Sequence, residues 1–227
     1  MNRSLLHDPA ELQRVYKRRF DAHIEYRTQV WRVLTSRFFA RLVPAGATVL
    51  DLGCGYGEFI NNIQCAHKYA MDLNPEAAKY VSQEVKFISQ DCSQPWQLPE
   101  DSLDIVFTSN FFEHLPSKTV LGDTLVQAKR YLRPGGRIIA LGPNAKYIGG
   151  AYWDFWDHHL ALTDQSLAEA LETQGFRVCQ AIRKFLPYTM VNKRPFPLLF
   201  VSLYLMVPVA WTVLGKQFLV IASKPAE

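Results

Sequence analysis

The chain has 227 residues and a mass of 26.0 kDa, with 25 Lys and Arg against 21 Asp and Glu and 48% hydrophobic residues, the make-up of one globular domain. An ordinary apolar fraction with a net charge of +4 excludes a disordered chain, and 12 Gly and 13 Pro without a period exclude a collagen-like one. Cys54, Cys65, Cys92 and Cys179 form no C-x-x-C pair and no metal-ligand spacing, which argues against a disulfide framework or a zinc knuckle and for a reducing, cytoplasmic setting.

The first twenty residues, MNRSLLHDPAELQRVYKRRF, are interrupted by charge and hold no secretory core. Charge is uneven along the chain: nine basic and four acidic residues up to 41, nine and sixteen over 42–176, and seven and one over 177–227. Basic ends around an acidic middle fit an anionic partner such as phosphate, a sugar acid or a lipid headgroup, or an ordinary solvated surface. No stacking or base-reading signature accompanies the basic residues, so nucleic acid is not expected.

Residues 9–42 read as two helices behind the start signal Asp8 and Pro9, with Leu12, Val15, Tyr16 and Phe20 and then Val30, Trp31, Leu34 and Phe38 at helical spacing. From Ala47 the period changes. ATVLDL, KYAMDL, VKFIS, LDIVFTS and GRIIALG are short apolar strands, and helices are expected around 57–63, 75–82, 117–132 and 163–174, the last closed by Gly175. This alternation implies an α/β domain on a parallel sheet. Residues 195–215, PFPLLFVSLYLMVPVAWTVLG, carry no charge and are bracketed by Lys193, Arg194 and Lys216. Their length admits a membrane span, but Pro208 near the middle and the strand-like KQFLVIASKP behind them favour an apolar flap or interfacial helix over a buried hairpin or a span.

The stretch VLDLGCGYGEF carries the most chemistry. A strand ends on Asp51, and Gly53, Gly55 and Gly57 follow at alternate positions before a helix start. Glycines let the backbone turn tightly against a ligand, which makes a nucleotide-type cradle. Glu58 stands where a dinucleotide fingerprint differs in its glycine spacing, and Asp51 would repel a pyrophosphate while suiting a cationic ligand.

D-x-G-x-G-x-G after a first strand resembles motif I of the class I S-adenosylmethionine-dependent methyltransferases, and four later strings follow in that family's order. The resemblance implies that Asp51, Gly53, Cys54, Gly55 and Gly57 cradle S-adenosylmethionine and its product S-adenosylhomocysteine. It implies that Asp72, with Leu73 beside it in MDLNP, holds both ribose hydroxyls. Asp91 and Cys92, in SQDCSQPW, would meet the adenine, and Asn110 and Phe111, in LDIVFTSNFFEHLP, would lie beside the sulfonium. LRPGGRII is similar to the turn into the fifth strand. The resemblance spans roughly 40–183 and implies a Rossmann-like seven-stranded sheet in the order 3-2-1-4-5-7-6, with strand 7, supplied by KQFLVIASKP, antiparallel.

Methyl transfer from a sulfonium is an in-line displacement dominated by alignment, and an oxygen acceptor also needs a base. His158 and His159, after the fifth strand, and His114, in motif IV, are the candidates, each weighed against a structural histidine. DFWDHH has no recognised metal geometry, and no metal is expected. Tyr152, Trp153, Phe155 and Trp156 fit an acceptor surface or ordinary core, and Tyr16, Arg19, Tyr26 and Arg27 fit either a face that closes over the cofactor or a solvated helical face.

The expected organisation is a single domain: an N-terminal helical lid (1–45), a cofactor core (46–183), an apolar, basic-flanked insertion (184–216) and a last strand (217–227). The expected activity is methyl transfer to a small or lipid-linked acceptor, at oxygen in preference to nitrogen or carbon. A saccharide or quinone-type intermediate at the inner membrane face would engage 195–215 as a peripheral membrane contact. The competing classes are a non-catalytic S-adenosylmethionine-binding module and an NAD-dependent oxidoreductase.

Overall fold

The computed structural model describes residues 24–188 and 196–226. Leu12, Val15, Tyr16, Arg19 and Phe20 of the expected cap, and the basic pair Lys193 and Arg194, lie outside the described residues.

Seven strands form one sheet: β1 Thr48–Leu52, β2 His67–Asp72, β3 Val85–Ser89, β4 Leu103–Ser109, β5 Leu132–Pro143, β6 Arg177–Ile182 and β7 Gln217–Ser223. Their order is β3-β2-β1-β4-β5-β7-β6, with β7 antiparallel to both β5 and β6 and the remaining neighbours parallel. The central strands are almost continuously apolar because both faces of the sheet are covered. Alternation divides their side chains between two cores. Leu50, Leu52, Val106 and Ile138 face one with Leu121, Leu125 and Phe218, whereas Val49, Ile105, Phe107 and Ile139 face the other with Phe39, Phe59 and Phe185.

Among the described residues the helices are α1 Ile24–Arg37, α2 Lys118–Tyr131, α3 Ala145–Ile148, α4 Asp164–Thr173, α5 Leu198–Met206 and α6 Pro208–Leu214. Helix α2 starts where Ser117 accepts a hydrogen bond from the Val120 N–H, and it buries Leu121, Leu125 and Ala128 at helical spacing. Helix α4 opens on a Thr163–Ser166 capping box, and Gly175 follows it at φ +77°. Two expected helices are reduced. Residues 57–63 form hydrogen-bonded turns, because Gly57 is left-handed and Asn61 ties its side chain to Tyr80 O and Ser82 N. The helix expected over 75–82 is a short 3-10 turn, Pro75–Lys79, since the chain must re-enter the sheet at Val85.

The uncharged segment forms two short helices. Val207 is extended (φ −119°, ψ 83°) ahead of Pro208, so α5 and α6 do not fuse, and among the described residues no helix is long and apolar enough to cross a membrane. The inner faces join the second core: Trp211 packs edge-on to Phe185 and Phe38, and the Tyr204 hydroxyl donates to Phe185 O at 2.6 Å. Helix α1 lies along α5, and Tyr26 joins the two regions, its hydroxyl donating to Phe196 O and accepting from Phe196 N, each at 3.0 Å.

Candidate active site

The cradle forms at the carboxyl ends of β1 to β4, where an open α/β sheet presents its crevice. Gly53, Gly55 and Gly57 have φ of +71°, +51° and +67°, a region that side chains with a Cβ rarely adopt. At Gly53 the close approach is also visible: a Cβ there would fall 2.2 Å from the Phe111 ring. Asn110, just before that ring, is itself left-handed (φ +49°) and is held by its N–H to Leu141 O at 2.9 Å.

Asp72 closes the loop from the next strand. Its carboxylate accepts the Gly55 N–H and the Asn74 N–H, each at 2.9 Å, which leaves lone-pair positions for a further donor. Burial raises its pKa against these N–H bonds, that of Leu73 and the nearby His114. Asp91 accepts from the Ser93 N–H at 2.9 Å and hydroxyl at 2.8 Å. The Cys92 thiol lies 3.3 Å from the Thr124 hydroxyl, and burial pushes it up to about 12.

Acidic groups gather at the end of β1. Asp51 is buried, and desolvation raises its carboxyl well above the usual range, opposed by the Ile60 N–H and reinforced by Glu58 and Asp72. Burial likewise raises the Cys54 thiol, with the Asp51 and Asp72 charges adding to it. Glu58 is raised by burial and partly restored by Arg27 of α1, whose guanidinium lies 2.9 Å away. A cation fits such a place; a phosphate does not.

A second polar cluster stands on the segment after β4 and on the loop after β5. His114 Nδ1 lies 3.0 Å from Asp157 O and 3.2 Å from Asp157 Oδ2, and its Nε2 lies 4.0 Å from Glu113 Oε1. Burial lowers the His114 pKa, but the Asp157 hydrogen bond and the two carboxylates outweigh it and the net shift is upward. Glu113 is pushed up to about 7 by burial, with His114 pulling the other way. His158 holds its Nδ1 2.8 Å from Tyr152 O and stacks on Phe155, its ring centre 5.1 Å from that of His114. His159 is exposed, and its backbone N–H donates to Glu113 O at 2.8 Å.

One cavity of about 610 Å³ connects both clusters to the insertion. Of the residues expected in the site, Asp51, Gly53, Cys54, Gly55, Asn110, His114 and His158 line it; Gly57, Asp72, Leu73, Asp91, Cys92, Phe111 and His159 do not. Its far wall comes from α1, α5 and α6, including Val30, Trp31, Phe200, Val201, Leu203 and Val207. Glu58 and Glu113 also line it and were missed in the sequence, where one reads as a break in a glycine pattern and the other as the neighbour of a histidine. The clue to Glu113 was its place directly after a strand end, where open sheets gather ligand-facing groups.

Left-handed glycines, a β2-terminal carboxylate that keeps acceptor capacity and an acidic floor fit the sulfonium, amine and ribose of S-adenosylmethionine, and the 3-2-1-4-5-7-6 sheet is the class I methyltransferase fold. The sequence pattern of the methyltransferase domain family matches residues 23–181, and the chain belongs to that family, with S-adenosylmethionine as its cofactor. The 2-methyl-6-phytyl-1,4-hydroquinone methyltransferase of Synechocystis sp. is 25% identical over 154 residues, which are 59% of this chain and 47% of the relative. The ubiquinone biosynthesis O-methyltransferase of Xanthomonas axonopodis pv. citri is 32% identical over 108 residues, 44% of either chain. The chain thus spans less than half the length of these curated relatives. A S-adenosylmethionine-dependent methyltransferase from Archaeoglobus fulgidus superposes with a TM-score of 0.66 at 20% identity, covering 90% of this chain and 99% of that one, and shares its fold.

Proposed function

We propose that the protein transfers a methyl group from S-adenosylmethionine to a hydroxyl oxygen of an amphiphilic acceptor, a quinol-type ring or a saccharide head carrying an apolar tail, at a membrane surface. The observation that carries this reading is the single cavity running from Gly53 and Gly55 past His114 and His158 to α5 and α6. The curated relatives support the quinol head over the saccharide, since two of them bear hydroquinone or ubiquinone names.

The cofactor supplies an electrophilic methyl on a sulfonium. The chain's own residues do the rest. Asp72 takes the ribose hydroxyls, while Asp51 and Glu58 make the floor favourable to positive charge. Asp91 and the Cys92 N–H meet the adenine, Leu73 follows Asp72 at the ribose, and Asn110 and Phe111 border the methionine end. Trp31, Phe59 and Phe107 exclude water from the middle of the cavity, which favours alignment over hydrolysis. In the metal-free chain the acceptor hydroxyl gives its proton to His114, whose Nδ1 is held by Asp157, with His158 as the adjoining imidazole. His159, exposed and outside the cavity, takes no part.

The apolar tail of the acceptor runs between α1 and α5. The outward faces of α5 and α6 rest on the bilayer: Leu199, Met206, Val209 and Val213 are each about 70% exposed (68%, 73%, 72% and 72%). Lys216 flanks them for anionic headgroups.

The test is calorimetric titration with S-adenosylhomocysteine, followed by transfer of labelled methyl from S-adenosylmethionine into a lipid extract and into short-chain quinols. Expected are saturable binding and label in an organic-soluble product that is resistant to mild ester hydrolysis. Binding without label in any fraction would leave a binding module and defeat the catalytic reading. NAD binding in place of S-adenosylhomocysteine would defeat the cofactor reading as well.

A further inference from the structure

His114 and His158 share a feature that goes beyond the role of a single base. Each has its Nδ1 against an oxygen acceptor, the Asp157 carboxylate and carbonyl for His114 and the Tyr152 carbonyl for His158. A neutral imidazole that donates from Nδ1 carries its lone pair on Nε2, and this second-layer arrangement is the one that orients metal-ligating histidines. Glu113 adds a buried carboxylate, and one ligand atom from each of Glu113, His114 and His158 lies within 4.8 Å of the others.

Ligand atoms around one first-row ion stand roughly 3–3.5 Å apart, given bonds of about 2.0–2.2 Å. Side-chain rotation of about an ångström would therefore close the set. Charge argues the same way. Glu113 Oε1 lies 4.0 Å from His114 Nε2, and Asp157 Oδ2 lies 3.2 Å from the Nδ1 of the same ring. Burying a carboxylate is costly unless it is paired or bound to a metal.

We propose that Glu113, His114 and His158 form a binding site for one divalent first-row metal ion, on the acceptor side of the cavity. Two imidazoles and a carboxylate select Mn²⁺, Fe²⁺, Co²⁺ or Zn²⁺ over Mg²⁺ or Ca²⁺, and three protein ligands leave open positions toward the chamber. The sequence hid this set because its members sit 44 residues apart on two elements, the 3-10 turn Phe112–His114 and the loop holding His158. The inference rests on the proposed reading only in its consequence: the bound ion would take the acceptor oxygen as a Lewis acid, lowering the hydroxyl pKa so that its proton leaves to solvent. An acceptor with two adjacent oxygens would chelate at the open positions and be preferred.

The full chain, stripped with a chelator, is titrated with Co²⁺ while visible absorption and heat are followed. Expected are one equivalent bound with a ligand-field band, and at least about a tenfold loss of affinity in Glu113→Gln and in His158→Gln, with Asp157→Asn weakened less. S-adenosylhomocysteine binding and far-UV circular dichroism confirm that each variant is folded. Failure of Co²⁺ to saturate a protein that binds S-adenosylhomocysteine overturns the metal site and leaves the cofactor reading intact. Unchanged affinity in both ligand variants overturns it too, by placing the ion elsewhere. Co²⁺ binding by these residues in a chain that takes no S-adenosylhomocysteine would keep the metal site and sink the proposed function.

Discussion

At the β1–β4 edge the groups around the cavity are short, buried and polar, held by backbone hydrogen bonds such as Gly55 N–H to Asp72 and Asn110 N–H to Leu141. At the α5–α6 end they are large and apolar, and the same helices that line the chamber carry exposed leucine, valine and methionine on their outer faces. The first region is built from contiguous strings at strand ends. The second is assembled from α1, the loop after β5 and the insertion before β7, which meet only in the folded chain. In the proposed reading the cofactor is met by local geometry at strand ends, whereas the acceptor is met by parts brought together only by the tertiary fold.

If the two ends are separable, substitutions should divide cleanly between cofactor affinity and turnover. The largest effect is expected at the polar junction. His114→Ala should lower kcat by about 10²–10⁴-fold, the range removed with a positioned base or its equivalent, while S-adenosylhomocysteine affinity stays within about threefold. Single-turnover kinetics alongside calorimetry measures both; loss of cofactor affinity would move His114 to the other region.

Next comes Asp72→Ala. Losing a carboxylate that accepts two charge-assisted hydrogen bonds should weaken S-adenosylhomocysteine binding by about 100-fold or more, with Asp72→Asn in between. Vesicle binding should not change. An affinity within fivefold of the parent would mean that the ribose lies elsewhere.

Third, Leu199→Asp combined with Val209→Asp adds charge to the exposed face without touching the cavity wall. Co-sedimentation with phosphatidylglycerol vesicles should fall by about tenfold or more, with cofactor affinity unaltered. Equal sedimentation of parent and variant would remove the membrane from the picture.

What was legible in the sequence follows the same division. Strand order and the β7 reversal came with the family resemblance, carried by the strings at the ends of β1, β2, β3 and β4, and the sheet has that order. Residues 57–63 misled because helical spacing says nothing of a left-handed Gly57 or of an Asn61 side chain committed to the chain near Tyr80. Glu58 left no signal in the sequence and Glu113 only its place after β4, because the importance of both lies in burial and in the partners Arg27 and His114, which are properties of the tertiary fold. His159 looked equivalent to His158 in sequence; one residue along the loop separates a buried ring from an exposed one.

The smallest effect tests the electrostatic character of the cofactor end. Asp51, Glu58 and Asp72 all have pKa values raised by burial, so in the free protein they hold protons above the usual carboxylate range. A cationic ligand favours their ionised forms, and binding S-adenosylmethionine should release protons into buffer; the neutral thioether product should release fewer. The preference for the sulfonium over the thioether should therefore weaken as pH falls through the raised values. The same sign applies to folding. A carboxyl whose folded-state pKa is raised stabilises the fold most fully below its unfolded value and loses that contribution as pH rises through the folded one, so Asp51→Asn should raise the melting temperature of the unliganded chain at neutral pH. Calorimetry in buffers of different ionisation enthalpy counts the protons directly. Equal counts for the two ligands would show that the acidic floor recognises the amine they share, and the sulfonium would then owe its place to the aromatic walls of the acceptor end.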